Sequence, residues 1–197
     1  MNPIFTIGHS DHDQQQFIEL LRAHGIGAVA DVRSSPYSGR FSQFNREALQ
    51  AGLRAAGIQY VFLGDELGAR RSEEDCYVNG QALYERIAET PSFQCGLKRL
   101  TEGAGKMRIV IMCAEREPLE CHRCVLICRH LKVVVPSIWH ILADGSLESH
   151  EQTEMRLLQQ FKLAGEDLFL SKAEMLDAAY ERQGKRIAYK EEAVLLP

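Results

Sequence analysis

Short apolar runs alternate with helix-period segments along most of this chain, and that alternation restricts the fold more than any other feature. Residues 4–7 (Ile4-Phe5-Thr6-Ile7), 26–32, 58–63, 108–113 and 133–142 read as strands. Between them, Phe17, Leu20, Leu21 and His24 recur at helical spacing, as do Leu49, Leu53 and Ala56. Residues 81–100 show the same period, interrupted at Pro91, and 118–132 show it most clearly, with Pro118 suited to a first helical turn. Strands separated by helices need crossover connections, and crossovers build parallel sheets with both faces covered. The expected fold class is therefore three-layer α/β: a mostly parallel central sheet with helices on both faces, plus C-terminal helices. The core spans residues 1–146, and 147–197 form a helical extension packed on it as part of one domain.

Local signals sharpen this outline. Ser10-Asp11-His12-Asp13 reads as an N-cap with an acidic residue three positions on, and Ser149 with Gln152 and Ser171 with Glu174 carry capping-box signatures. Gly25 and Gly57 close the first two helices, and Gly103-Ala104-Gly105 closes the segment after Pro91. Residues 64–79 are polar and without period, as expected of a long surface loop.

Composition excludes several classes of function. With 45% hydrophobic and 25% charged residues in 197, the chain is neither collagen-like nor disordered and can build a core without disulfides. Its 23 basic and 27 acidic side chains leave a net charge of −4, so a global attraction to nucleic acid or anionic lipid is absent and only a local basic patch stays open. The first residues carry neither a basic nor an apolar signal region, and no apolar run is long enough to span a membrane. A cytoplasmic location and no membrane partner are expected. The sequence does not determine the oligomeric state.

In open parallel sheets ligands sit beyond the carboxyl ends of the strands. That rule selects Gly8-His9-Ser10, Asp31 to Ser35, Gly64-Asp65-Glu66, Cys113-Ala114-Glu115 and His140. Four of the six cysteines crowd together as Cys113, Cys121, Cys124 and Cys128, and they read as reduced thiols. Cys113 ends a strand and Cys121 falls in the first turn of the expected helix, where the helix dipole, His122 and Arg123 favour a thiolate. Cys121, Cys124, Val125, Cys128 and Leu131 also share one helical face, so Cys124 and Cys128 read as core; for Cys113 and Cys121, core and chemistry stand side by side. A four-cysteine metal cluster is disfavoured because Cys121 and Cys128 on a regular helix lie about 10 Å apart along the axis. A two-cysteine site completed by His9 or His140 is the minor alternative, and no metal or cofactor is expected.

Glu115 is either a general base or acid, or a solvated loop carboxylate. His9, in a glycine turn, is more telling than His12 or His24, which read as helix-surface residues. Asp31, Arg33 and Ser35 suit fork-like binding of phosphate or carboxylate, or else Asp31 and Arg33 pair with each other. The candidate catalytic residues are Cys113, Glu115, Cys121 and His122; the candidate substrate-binding residues are His9, Ser10, Asp31, Arg33, Ser35 and Arg123. They point to a thiol- or acid/base-dependent hydrolase or transferase for a small anionic or nucleotide-like ligand. Two other readings stand. One is a nucleic-acid or nucleobase processing module, with Arg33, Arg40, Arg46, Arg70 and Arg71 on phosphates and Tyr37, Phe41 and Phe44 stacking on bases. The other is a non-catalytic binding or redox-responsive protein.

Five ordered motifs resemble one family: Thr6-Ile7-Gly8-His9-Ser10, Asp31-Val32-Arg33-Ser34-Ser35-Pro36, Tyr60 to Gly68, Cys113-Ala114-Glu115 and Cys121-His122-Arg123. They are similar to the successive motifs of the domain of unknown function numbered 488, and Gly184-Lys185-Arg186-Ile187-Ala188-Tyr189 is similar to its longer members. The resemblance implies a three-layer α/β fold and supplies no reaction. Asp31-Val32-Arg33 is also similar to the rhodanese sulfurtransferases. The loop after Cys113, however, lacks anion-cradling glycines, and Leu119 stands where a Cys-x5-Arg loop requires arginine.

Overall fold

The computed structural model describes residues 1–165 and 169–191. In chain order, β1 (Ile4–Gly8), α1 (Gln14–Ala23), β2 (Ala28–Asp31), α2 (Arg46–Ala55), β3 (Gln59–Phe62) and α3 (Gly64–Leu67) lead to a small ribbon of β4 (Tyr77–Val78) and β5 (Gln81–Ala82). Then come α4 (Tyr84–Glu89), α5 (Pro91–Lys106) and β6 (Ile109–Cys113). A 3-10 turn (Pro118–Glu120) and a π-helical segment (Arg123–Cys128) run into α6 (Arg129–Leu131). The chain closes with β7 (Ile138–Ile141), β8 (Leu147–Ser149), α7 (His150–Gln160) and α8 (Lys172–Ile187).

Six strands form one sheet in the order β3-β2-β6-β1-β7-β8, parallel throughout except for the terminal β8. Alternation along the strands divides the core. Phe5, Ile7, Val29, Val110 and Met112 meet Phe17 and Leu21 of α1 and Leu49 and Leu53 of α2 on one face. Ile4, Ala30, Ile111 and Cys113 meet α5, the 121–131 segment, α7 and α8 on the other. Burial on both faces explains why β1, β2 and β6 read as nearly continuous apolar runs. The three-layer α/β expectation is met.

Several local expectations are corrected. The first helix begins later than expected: Asp13, not Ser10, is the N-cap, accepting from the Gln16 amide at 2.7 Å. Pro91 separates two helices, sitting in the first turn of α5 behind the Thr90 cap, and α5 runs through Gly103-Ala104-Gly105 to Lys106. The stretch read as surface loop holds α3, a 3-10 turn and β4. The last parallel strand is shorter than 133–142, because Val133 and Val134 lie in an exposed turn. Both capping boxes form. No helix among the described residues is long and apolar enough to cross a membrane.

The largest departure is at 118–132, which is not one regular helix. Cys121 is extended (φ −134°, ψ 138°) between the 3-10 turn and the π-helical segment. Cys121 is therefore not in a first α-helical turn, and the axial-rise argument against a metal does not apply to it. Cys124 and Cys128 are fully buried core residues.

Candidate functional site

The adjacent carboxyl ends of β1, β2 and β6 bring Gly8, Asp31 and Cys113 side by side. Backbone bonds continue past the strands, from the His9 amide to the Cys113 carbonyl (2.9 Å) and from Ser10 to Ala114 (3.0 Å). The approach is so close that a Cβ on Gly8 would lie 1.9 Å from the Glu115 carbonyl oxygen, and one on Gly64 would lie 2.1 Å from that of Arg33. Two glycines of the ordered motifs are thus there because neighbouring backbones occupy the space of a side chain.

Arg33 is buried and grips Asp31 through two bonds, Nε to Oδ1 at 2.9 Å and Nη2 to Oδ2 at 2.6 Å. Tyr60 also donates to Asp31 (2.9 Å), and Arg33 reaches the Phe44 carbonyl. The remaining guanidinium nitrogen, Nη1, lies 3.3 Å from His9 Nε2. His9 Nδ1 lies 3.1 Å from the Ser10 carbonyl, so Nδ1 carries the proton and Nε2 accepts from Arg33. Burial, then the Arg33 charge, pushes His9 down to about 4, and it is neutral near pH 7. Asp31 and Arg33 pair with each other, and the pair still leaves Arg33 at the cavity wall.

Cys113, Glu115, Cys121 and His122 converge beside this pair. Their donor atoms all lie within 4.8 Å of one another. The His122 Nδ1 faces both sulfurs, at 3.7 Å from Cys113 and 4.0 Å from Cys121, because Nε2–H is donated to the Val32 carbonyl at 3.1 Å. Glu115 lies at the solvent-exposed rim with one oxygen turned inward, 2.9 Å from Cys121 Sγ. The hydrogen bond to Cys121 and then burial raise the Cys113 thiol well above its ordinary range. Burial also works to raise Cys121, but the bond from Cys113 and the charges of Arg123 and His122 outweigh it and hold Cys121 well below.

Cys113, Glu115 and His122 front a cavity of about 410 Å³ whose wall also includes Arg33, Ser35 and Arg70, while the buried Cys121 does not line it. A neighbouring hollow of about 300 Å³, with His9, Ser10, Arg40 and Phe41, shares Arg33, Ser35 and Tyr37 with it. Another hollow of about 250 Å³, between α5 and the β2–β3 surface, is lined by no cysteine or histidine.

Most of the expected site residues thus meet at one sheet edge, with exceptions. Arg123 is fully buried behind the cavity, where it donates to the Glu115 (2.6 Å) and Arg116 (3.1 Å) carbonyls, so it shapes the loop and does not line the cavity. Ser10 donates to Asp11 and has left-handed backbone (φ 48°). His140 lies in the core, bonded to Thr6 and His150. His12 is buried too, and His24 bonds the Gly145 carbonyl. Of the groups considered for phosphate and base contact, Phe44 is buried and stacks on His9, Arg46 covers the Phe62 ring, and Arg71 bonds the Asp65 and Glu66 carbonyls. Sequence reasoning missed Tyr84 as cavity lining. Tyr189 and Ile187, which also line it, were visible only as part of the late Gly184 to Tyr189 motif.

Fold and site together define a three-layer α/β protein with a thiol, imidazole and carboxylate cluster at the carboxyl edge of its sheet. The sequence model of the domain of unknown function DUF488 matches residues 13–129, more than half of the chain, and the chain belongs to that family. No curated protein and no solved structure matches it.

Proposed function

We propose that this protein is an enzyme acting on a small anionic or nucleotide-like substrate in the strand-end cavity, through Cys113, Glu115, Cys121 and His122. The observation that carries the reading is that one cavity is lined by Arg33, Arg70 and Ser35 together with Cys113, Glu115 and His122 of the reactive cluster. Arg70 lies over the Tyr189 ring at 4.5 Å and has no carboxylate partner among the described residues, so its charge is free to meet an anion. Arg33 is held in place by Asp31, and Ser35 adds a hydroxyl. Facing them, Cys113 has His122 Nδ1 within 3.7 Å to exchange a proton, and Glu115 stands at the rim where a leaving group departs. The adjoining hollow, with Phe41 and Tyr37, offers a surface for a planar base and favours a nucleotide-like substrate within this reading.

The test is turnover by the full chain of a panel of phosphate monoesters, nucleotides and thioesters. Activity is expected to fall by roughly 10²- to 10⁴-fold in E115Q and H122Q, with R70A acting mainly on KM. Full activity in C113S, C121S and E115Q alike would end the assignment.

A further inference from the structure

We propose that Cys113, Glu115, Cys121 and His122 form a zinc(II) site opening into the cavity. This rests on the enzymatic reading of that cavity and deepens it by changing two roles: with the ion bound, the two sulfurs and His122 Nδ1 are ligands and exchange no proton with each other, and Glu115, the solvent-exposed donor, is the one that water or substrate can displace.

Four observations converge. In a tetrahedral zinc site with bonds of about 2.0 to 2.3 Å, donors sit roughly 3.3 to 3.8 Å apart. Here the imidazole nitrogen lies 3.7 and 4.0 Å from the two sulfurs, and all four donors lie within 4.8 Å of one another. His122 already has the outer partner typical of a metal-bound imidazole: Nε2–H on the Val32 carbonyl turns Nδ1 toward the sulfurs, and binding the ion there displaces the Nδ1 proton. Arg123 is a fully buried cation whose side chain donates to the Glu115 and Arg116 carbonyls, leaves Nε without a partner, and has no carboxylate ion pair among the described residues. Two thiolates and a carboxylate against Zn²⁺ and Arg123 sum to zero, which removes the penalty of an uncompensated buried charge. Thiolate with imidazole, finally, is a donor set that selects zinc over magnesium or calcium.

A second group, Cys124 with His140 and His150, has donors equally close but a closed set of hydrogen bonds. Thr6 donates to His140 Nδ1 (2.7 Å), His140 Nε2–H to His150 Nδ1 (3.1 Å), His150 Nε2–H to the Tyr180 oxygen (3.1 Å), and Tyr180 to Glu154 (2.9 Å). Both imidazoles there are fully paired without an ion, leaving neither ring nitrogen free for one, so we assign it no metal.

The test uses the full chain, stripped by chelator under reducing conditions and titrated with zinc(II), with cobalt(II) as the spectroscopic probe. Expected are one zinc per chain, a tetrahedral cobalt spectrum with thiolate charge-transfer bands, and affinity lower by roughly a hundredfold or more in C113S and C121S. Zinc should also slow alkylation of Cys113 and Cys121 in the unsubstituted chain while exposed Cys95 reacts unchanged. That measurement decides the matter even if the variants fail to fold. Folded, stripped protein that takes up no zinc, or zinc that leaves alkylation of both thiols unchanged, would overturn the site. Zinc uptake without turnover of any substrate in the panel leaves the site standing and removes the enzyme; turnover by a chain that takes up no zinc does the reverse.

Discussion

At the scale of single residues, neutral buried imidazoles set the response of this protein to acid. Burial, reinforced at His9 by the Arg33 charge, brings His9 and His150 down to about 4, and burial followed by the His150 charge lowers His140 well below its ordinary value. Their unfolded value is near 6.5. Between the two, the unfolded chain binds protons that the folded chain refuses. Unfolding free energy is therefore fully present above pH ~6.5 and falls as pH drops toward ~4, by about 3 kcal/mol each for His9 and His150. Urea denaturation at a series of pH values should show this decline, and H9Q should make it shallower by about one proton. A profile that stays level below pH ~6.5 would contradict the protonation states assigned here. None of this was legible in the sequence, where His9 stood out only by its glycine turn and His12 read as surface.

At the scale of elements, the turn after β1 and the segment after β6 hold the site together. Because the Gly8 Cα faces the Glu115 carbonyl, G8A must push the 114–116 loop away from β1. We expect a loss of about 1 to 3 kcal/mol in chemical denaturation, together with weaker zinc uptake, since Glu115 and Cys121 move with that loop. Unchanged stability in G8A would mean that the two backbones are not in contact. The glycine was legible as part of a motif, but its reason was not, since the atom it makes room for lies more than a hundred residues away. The 118–132 segment shows the converse. Its periodicity predicts a regular helix, yet all six residues of Arg123–Cys128 are buried, so no polar face was present to report the true winding. His122 bonding Val32 and Arg123 bonding the 115 and 116 carbonyls hold Cys121 extended, and these are contacts that periodicity does not encode.

At the scale of the whole molecule, the C-terminal helices complete both the core and the cavity. Leu157 and Leu158 of α7 and Met175, Ala179 and Tyr180 of α8 belong to the same buried cluster as the sheet. Gln183 donates to the Leu119 carbonyl at 2.7 Å, and Ile187 and Tyr189 wall the cavity. A chain ended after residue 146 would expose that apolar surface and leave the β7 edge unpaired, since β8 would be gone. It should bind a hydrophobic dye strongly and elute as aggregates. A monomeric 1–146 chain with a cooperative unfolding transition would show instead that the helices are dispensable.

The main alternation of strands and helices, the layer architecture and most of the strand-end residues, though not His140, were determined by the sequence itself, because hydrophobic period and the burial of parallel strands are local consequences of which side chains follow one another. Which of those residues share a cavity was decided by the tertiary structure. Inserting β6 between β2 and β1 places Cys113 beside Arg33, and the His122 and Arg123 side chains, bonded to the Val32 and Glu115 carbonyls, flank a Cys121 whose sulfur meets Glu115. Such pairings depend on strand order and on contacts between distant segments.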